Sequence, residues 1–246
     1  MSARAALNEL GHMHTPIRLI TFDLDDTLWD VRPALIEAER AQWSCLKARF
    51  PTLELDNLPR EQLDRIREEL ITTRPELVHQ ISLFREAFID HLLQQCGVPQ
   101  EDSSAAASEA FAVFLSHRQN VAVYPDAQSV LGTLSEQFKL GALTNGNANV
   151  WKTEIGSHFH YAWRAEELGT SKPDPEFFHR AFSEAGVRAS EVIHVGDCHD
   201  NDVSGATNAG AQAIWFCPEG GLSDVAAAVV EELSELPGAI QKLTAG

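Results

Sequence analysis

The chain has 246 residues, 44% of them hydrophobic and 22% charged, a composition that favours an ordered globular protein of one or two domains over a disordered one. With 36 acidic residues against 19 basic ones, the formal net charge of −17 argues against nucleic acid and anionic membranes as partners. Four cysteines without a C-x-x-C pair indicate reduced thiols and a cytoplasmic protein. No apolar run is long enough to span a bilayer, and we expect residues 1–15 to form a flexible extension.

The first predicted strand, 17–22, is short and apolar, and it ends at an acidic stretch. The sequence from Phe22 to Leu28 reads Phe-Asp-Leu-Asp-Asp-Thr-Leu. Carboxylates at the end of a core strand are costly, because unpaired buried charge has to be desolvated. A metal ion and a basic side chain would offset that cost and leave one aspartate as a nucleophile and the other as a proton donor. We therefore predict that Asp23 and Asp25 carry the chemistry.

The next stretch, from about residue 33 to 117, repeats its apolar residues at helical spacing and contains no strand pattern. Pro51, Pro59, Pro75 and the Gly97-Val98-Pro99 turn separate the predicted helices. The pattern predicts a small helical bundle.

From residue 121 onwards, short apolar runs alternate with helical patterns. The predicted strands are 140–143, 192–195 and 213–216, and the predicted helices are 127–138, 175–185 and 203–209. This alternation implies a parallel sheet covered by helices on both faces, that is, a Rossmann-like, doubly wound α/β core made of residues 16–30 and 121–246. Residues 31–120 are then an α-helical cap inserted after the first core strand, at the edge where such sheets bind ligands.

Further polar groups follow the predicted strands. Thr144 and Asn145 end one of them, Lys172 lies in a proline-flanked segment before a helix, and Asp197 and Asp202 follow Gly196. Mg²⁺ takes oxygen ligands, which Asp23 and Asp197 can supply. Mg²⁺ and Lys172 together would balance a phosphate dianion and an aspartate nucleophile, so the charges fit phosphoryl transfer.

The D-x-D-x-T at 23–27, Thr144, Lys172-Pro173 and the G-D-x-x-x-x-D at 196–202 resemble, in this order, the motifs of the haloacid dehalogenase-like hydrolase superfamily. The resemblance extends over residues 18–216. It implies that Asp23 forms an aspartyl-phosphate, and that Asp25 protonates the leaving oxygen and then activates water. The helical insertion resembles a type 1 cap.

The same resemblance implies the ligands of phosphate and metal. Thr144, Asn145 and Lys172 would bind the phosphate. Mg²⁺ would lie on Asp23, the main-chain carbonyl of Asp25 and Asp197, with Asp202 supporting the metal shell.

A narrower similarity, over residues 22–40, 143–147 and 194–218, is to the bacterial flavin-mononucleotide phosphatases. It implies a small phosphorylated metabolite as substrate, with FMN or a related flavin or pyrimidine monophosphate favoured. A carboxyl group at position 25 disfavours a dehalogenase, because halide displacement needs no proton on the leaving group.

Several assignments keep a structural alternative. Thr144 and Asp202 could cap helices, and Asn145 could merely shape a turn. Four residues are candidate substrate contacts, one just after the D-x-D-x-T and three in the helical region: Trp29, Trp43, His79 and Arg85. Trp43 could instead pack the bundle and Arg85 could be a solvated surface residue. A sugar-phosphate phosphatase, a phosphomutase and a non-catalytic binding module remain open, and the sequence does not indicate the oligomeric state.

Overall fold

The sheet at the centre of the fold has six parallel strands in the order β3-β2-β1-β4-β5-β6. The computed structural model describes residues 16–245, so the flexible extension predicted for residues 1–15 lies outside the described residues. The strands are β1 (Leu19–Phe22), β2 (Lys139–Thr144), β3 (Tyr161–Arg164), β4 (Val192–Gly196), β5 (Gln212–Phe216) and β6 (Ala228–Val230). This order is that of a Rossmann-like fold, and the predicted α/β class is confirmed.

Nine α-helices are found in residues 16–245. They are α1 (Arg32–Arg49), α2 (Arg60–Thr73), α3 (Ile81–Gln95), α4 (Gln100–Arg118), α5 (Ala127–Ser135), α6 (Ala165–Leu168), α7 (Pro175–Ala185), α8 (Gly205–Asn208) and α9 (Leu236–Thr244). Their ends follow local chemistry. Asp174 caps the start of α7, where its carboxylate accepts from the Glu176 backbone N–H, and Gly186, in the left-handed region, follows the last residue of this helix. None of these helices is long and apolar enough to cross a membrane.

Both faces of the sheet are buried. Ile20 and Phe22 point into a core shared with α5 and α9, whereas Leu19 points into a second core shared with α7 and α8. This two-sided burial explains why β1 is apolar at nearly every position instead of alternating.

The helices α1 to α4 lie between β1 and β2 in the chain and have a core of their own. Leu46, Ile66, Leu92 and Ala110 are among its fully buried members. The predicted breaks also fall between helices: Pro59 precedes α2, and Gly97, at φ 87°, follows α3.

The structure differs from the predicted elements at three places. Strands β3 and β6 were not predicted, because Tyr161–Arg164 mixes polar with aromatic residues at a half-buried edge and Ala228–Val230 is only three residues long. The helix predicted at 203–209 is found as the short α8, and a π-helical turn, His199–Ser204, precedes it and overlaps the start of the predicted range. Turns of this kind are frequent at functional sites.

Candidate active site

The predicted site residues converge at the carboxyl ends of β1, β2 and β4. Asp23 directly follows β1, Thr144 is the last residue of β2, and Asp197 directly follows β4. Strands β1 and β4 are neighbours in the sheet: β2 and β3 are added on one side of β1, and β4, β5 and β6 on the other. Open α/β sheets bind their ligands at the point where the strand order reverses in this way.

Lys172 joins two of the aspartates. Its ammonium lies 2.5 Å from Asp23 Oδ1 and 2.7 Å from Asp202 Oδ1, and it also donates to the Leu143 carbonyl at 2.9 Å. The lysine is only 4% exposed, so these three acceptors replace its hydration. The contact joins residues 149 positions apart in the chain.

The electrostatics of this group follow from burial and from unequal pairing. Burial alone would lower the pKa of Lys172, but Asp202 and Asp23 together raise it above its ordinary value. Burial also raises the pKa of Asp23 well above its ordinary value, since Lys172 offsets the desolvation only partly. The pKa of Asp202 is lowered instead, because Lys172 and His194 outweigh the cost of burial. The site thus holds more buried negative charge than Lys172 can balance.

The Asp202 carboxylate accepts from three donors. In addition to Lys172, Oδ1 accepts from His194 Nε2 at 3.1 Å, and Oδ2 accepts from the Cys198 backbone N–H at 3.0 Å. His194 Nδ1 accepts in turn from the Thr21 hydroxyl at 2.8 Å. Burial lowers the pKa of His194 and so favours a neutral ring, and the contact with the Asp202 carboxylate, which can only accept, assigns the ring proton to Nε2. A side chain at Gly196 would overlap the Asp202 carboxyl group, so glycine permits this close approach.

Asp197 lies close to Asp23 and Asp202 and is held by Thr27. The Thr27 hydroxyl donates to Asp197 Oδ1 at 3.0 Å and accepts from the Asp197 backbone N–H at 3.0 Å. Burial raises the pKa of Asp197. Carboxylate oxygens of Asp23, Asp197 and Asp202 all lie within 4.8 Å of one another. Three acidic groups at this distance are a donor set that suits a hard divalent cation.

Asp25 is held by a separate pair of donors. Arg118 Nη2 lies 2.7 Å from Oδ1 and 2.5 Å from Oδ2, and Trp29 Nε1 donates to Oδ1 at 2.8 Å. The turn that brings Trp29 back under Asp25 passes through Asp26, which has φ 62°, a value that aspartate tolerates better than most residues. The Asp26 N–H donates to the Trp29 carbonyl at 2.7 Å and closes the turn.

Thr144, at the end of β2, and Asn145, directly after it, have structural partners. The Thr144 hydroxyl accepts from the Gly146 N–H at 3.0 Å and caps no helix, since the short helix that follows is capped by Asn149. Asn145 donates to the Lys172 carbonyl at 2.9 Å and accepts from the Lys172 N–H at 2.8 Å. Asn145 therefore clamps the backbone of Lys172, while phosphate binding by Thr144, Asn145 and Lys172 stays a prediction.

The four candidate substrate contacts occupy different environments. Trp29 is fully buried under Asp25. The His79 ring is hydrogen-bonded to the hydroxyl of Ser171, next to Lys172, at 2.9 Å. Trp43 and Arg85 line a cavity of about 280 Å³ between α1, α2 and α3, and the Arg85 guanidinium lies 4.1 Å from the centre of the Phe114 ring.

Sequence reasoning missed two residues of the site. Arg118 is the last residue of α4. Basic residues are common in the last turn of any helix, so its position in the sequence did not mark it as part of the site. His194 did carry a signal, because it is the one polar side chain in the buried strand Val192–Gly196.

Known proteins match this chain over most of its length. The sequence profile of the haloacid dehalogenase-like hydrolase family matches residues 17–210. The 5-amino-6-(5-phospho-D-ribitylamino)uracil phosphatase YigB of Escherichia coli is 34% identical over 83% of this chain and 85% of its own length. The glyceraldehyde 3-phosphate phosphatase of Methanopyrus kandleri is 34% identical over 79% of this chain and 81% of its own.

A solved structure, described as a 2-haloacid dehalogenase from Pseudomonas syringae pv. tomato, superposes with a TM-score of 0.87 at 40% identity, covering 92% of this chain and 99% of that one. The residues that the family profile matches include the carboxyl ends of β1, β2, β3 and β4. The resemblance inferred from the motifs is confirmed, and the chain belongs to the haloacid dehalogenase-like hydrolase family.

Proposed function

We propose that this protein is a Mg²⁺-dependent phosphomonoesterase that works through an aspartyl-phosphate on Asp23. The expectation of a phosphoric monoester hydrolase acting on small phosphorylated metabolites is confirmed by its family and by the phosphatase names of its relatives. The observation that carries the mechanism is the second carboxyl group, Asp25, two residues from Asp23 and held by its own donors, Arg118 and Trp29.

The residues can divide the reaction between them. An Asp23 oxygen attacks phosphorus, the bond from phosphorus to the leaving oxygen breaks, and that oxygen takes the proton of Asp25. Water then attacks the phosphorus of the aspartyl-phosphate and gives a proton to Asp25, so that phosphate leaves and both side chains are restored. Lys172 neutralises charge next to Asp23 throughout.

The donor set fits a magnesium ion. Asp23 and Asp197 offer carboxylate oxygens, and burial raises the pKa of both, as expected for buried negative charge that is not fully compensated. We propose these two carboxylates and the main-chain carbonyl of Asp25 as the protein ligands. Asp202 already accepts from three donors, so in this proposal it supports the site by holding Lys172. When bound, Mg²⁺ supplies charge stabilisation to the transferring phosphoryl group.

The proposed substrate is a monophosphate with a planar, acceptor-bearing leaving group, such as FMN or a related pyrimidine. The cavity of about 280 Å³ presents the aromatic rings of Trp43, Phe84 and Phe88 together with the guanidinium of Arg85. Gln42 lines it as well, and its buried amide nitrogen has no hydrogen-bond partner within residues 16–245. Stacking surfaces combined with donors suit a heterocycle with carbonyl groups.

Two alternatives have a specific observation behind them. A sugar-phosphate phosphatase is favoured by the relative named for glyceraldehyde 3-phosphate. A dehalogenase is favoured by the description of the Pseudomonas structure, but a proton donor held beside the nucleophile is superfluous for halide loss.

The test is phosphate release from FMN, 5-amino-6-(5-phosphoribitylamino)uracil and glyceraldehyde 3-phosphate, with Mg²⁺ and with EDTA. We expect metal-dependent release from a heterocyclic substrate and its loss in Asp23→Asn. The control Asp200→Asn changes an exposed aspartate in the turn after β4 and should retain the activity. Release from the triose phosphate alone would transfer the assignment to sugar phosphates. An isomerised product without free phosphate would identify a mutase, and full activity in Asp23→Asn would exclude the covalent mechanism.

A further inference from the structure

Arg118 is the buried partner of Asp25, and it comes from the far end of the helical insertion. Its side chain is 2% exposed, and its Nη2 contacts both oxygens of Asp25. We propose that Arg118 is a positioning residue that orients the Asp25 carboxyl group toward the phosphate-binding loop. The proposal rests on the proposed function, in which Asp25 is the proton donor and acceptor.

The two oxygens of Asp25 are not equivalent. Oδ1 accepts from both Arg118 and Trp29, at 2.7 and 2.8 Å, whereas Oδ2 accepts from Arg118 alone, at 2.5 Å. Oδ2 lies beside Gly146: a β-carbon built there would be 2.8 Å from Oδ2 and 3.4 Å from the Thr144 hydroxyl oxygen. Oδ2 therefore faces the space next to the Thr144–Gly146 loop, where the proposed mechanism needs a proton.

The guanidinium has no other structural task within the described residues. Asp25 is its one ion-pair partner there, and its Nη1 is buried without a hydrogen-bond partner. Desolvating an arginine for a single pair is a poor way to gain stability, since apolar packing of equal volume does as well or better. Stability therefore does not explain why Arg118 is buried here, whereas a role in orienting Asp25 does.

Because Arg118 is the last residue of α4, it connects the helical segment to the site. The next residue, Gln119, accepts from the Asn149 N–H at 2.9 Å and donates to the Asn147 carbonyl at 3.3 Å, so the end of α4 is attached to the loop after β2. The position of α4 thus determines where Arg118, and through it Asp25, can lie.

The experiment measures alcohol release in single turnover from FMN and from 4-nitrophenyl phosphate, whose leaving group needs no proton. Variants are Arg118→Met, Arg118→Lys, Asp25→Asn and the double variant Arg118→Met/Asp25→Asn. The control is Arg49→Met, which removes an arginine ion pair between α1 and α4 far from the site. We expect Arg118→Met to lose roughly 100-fold with FMN, as for a misplaced catalytic group, and much less with the aryl phosphate. Arg118→Lys should recover part of the loss.

Non-additivity decides between positioning and direct substrate binding. If Arg118 acts through Asp25, the double variant should be no slower than Asp25→Asn, within about twofold. Equal losses on the two substrates, or a further large loss in the double variant, would overturn the positioning role. A wild-type protein that hydrolyses no phosphate ester would instead refute the proposed function, and the positioning role with it. An active wild type with normal Arg118 variants refutes the positioning role alone.

Discussion

Replacing Lys172 by methionine tests the electrostatic description of the site. The substitution keeps the length of the side chain but leaves Asp23 and Asp202 buried without the cation that lies 2.5 and 2.7 Å from them. Removing one member of a buried ion pair costs about 3–5 kcal/mol of unfolding free energy, because the remaining charge stays desolvated. For a chain of this size that corresponds to a fall in Tm of roughly 6–20 °C.

The pH dependence gives the sharper test. In the wild type, the lowered pKa of Asp202 contributes stability that is present above its unfolded pKa of about 3.9 and is lost only as the pH falls below it. Without Lys172, we expect burial to dominate at both aspartates and to hold their folded pKa values above the unfolded ones. Buried, unpaired carboxylates of this kind destabilise the folded state at neutral pH. As the pH falls they become protonated, and the destabilisation decreases. The deficit of Lys172→Met should therefore shrink between pH 7 and pH 5.

The assay is urea unfolding in EDTA at both pH values, with Lys139→Met as the control. Lys139 is exposed at the start of β2, and its replacement should change stability by less than about 0.5 kcal/mol. A deficit below about 1 kcal/mol for Lys172→Met, or one of equal size at pH 7 and pH 5, would refute the reasoning.

Three further predictions concern the same site. Gly146→Ala places a β-carbon 2.8 Å from Asp25 Oδ2 and should lower kcat by roughly 100-fold with a normal circular dichroism spectrum; unchanged kcat would contradict the placement of Asp25. Burial lowers the pKa of His194, so between pH 7 and pH 5 the unfolded chain takes up a proton that the folded protein does not. The wild type should therefore lose up to about 2 kcal/mol of unfolding free energy over this range. His194→Gln should lose less, and an identical loss in the variant would argue against a neutral ring. Mg²⁺ at about 100 times its Kd should stabilise the wild type by about 2.7 kcal/mol in thermal unfolding. Asp197→Asn should abolish most of that stabilisation, because it removes one proposed carboxylate ligand. Full stabilisation of the variant would show that Asp197 is not a ligand.

The parts of the site that could be predicted are those tied to strand ends. Asp23, Thr144 and Asp197 follow apolar runs, and parallel strands bring their carboxyl ends to one edge of the sheet. Sequence alone therefore predicts their proximity without any knowledge of side-chain geometry.

The remaining parts depend on long-range placement. Arg118 reaches Asp25 because α4 ends over the sheet, which no local pattern indicates. Trp29 was a candidate substrate contact, yet the left-handed turn at Asp26 places it beneath Asp25. Asn145 holds the backbone of a residue 27 positions away, a contact that only the loop conformations determine.

The position of β1 in the sheet has a consequence for synthesis on the ribosome. β1 is made first, but its two partners, β2 and β4, begin only at Lys139 and Val192. At translation speeds of about 5–20 residues per second, β1 waits on the order of ten to thirty seconds for its second partner. The helices α1 to α4 pack on one another within one continuous stretch of chain, so they can fold within that interval. We expect the nascent chain to carry a folded helical segment behind an exposed apolar strand, which makes residues 17–24 a preferred target for chaperones during translation.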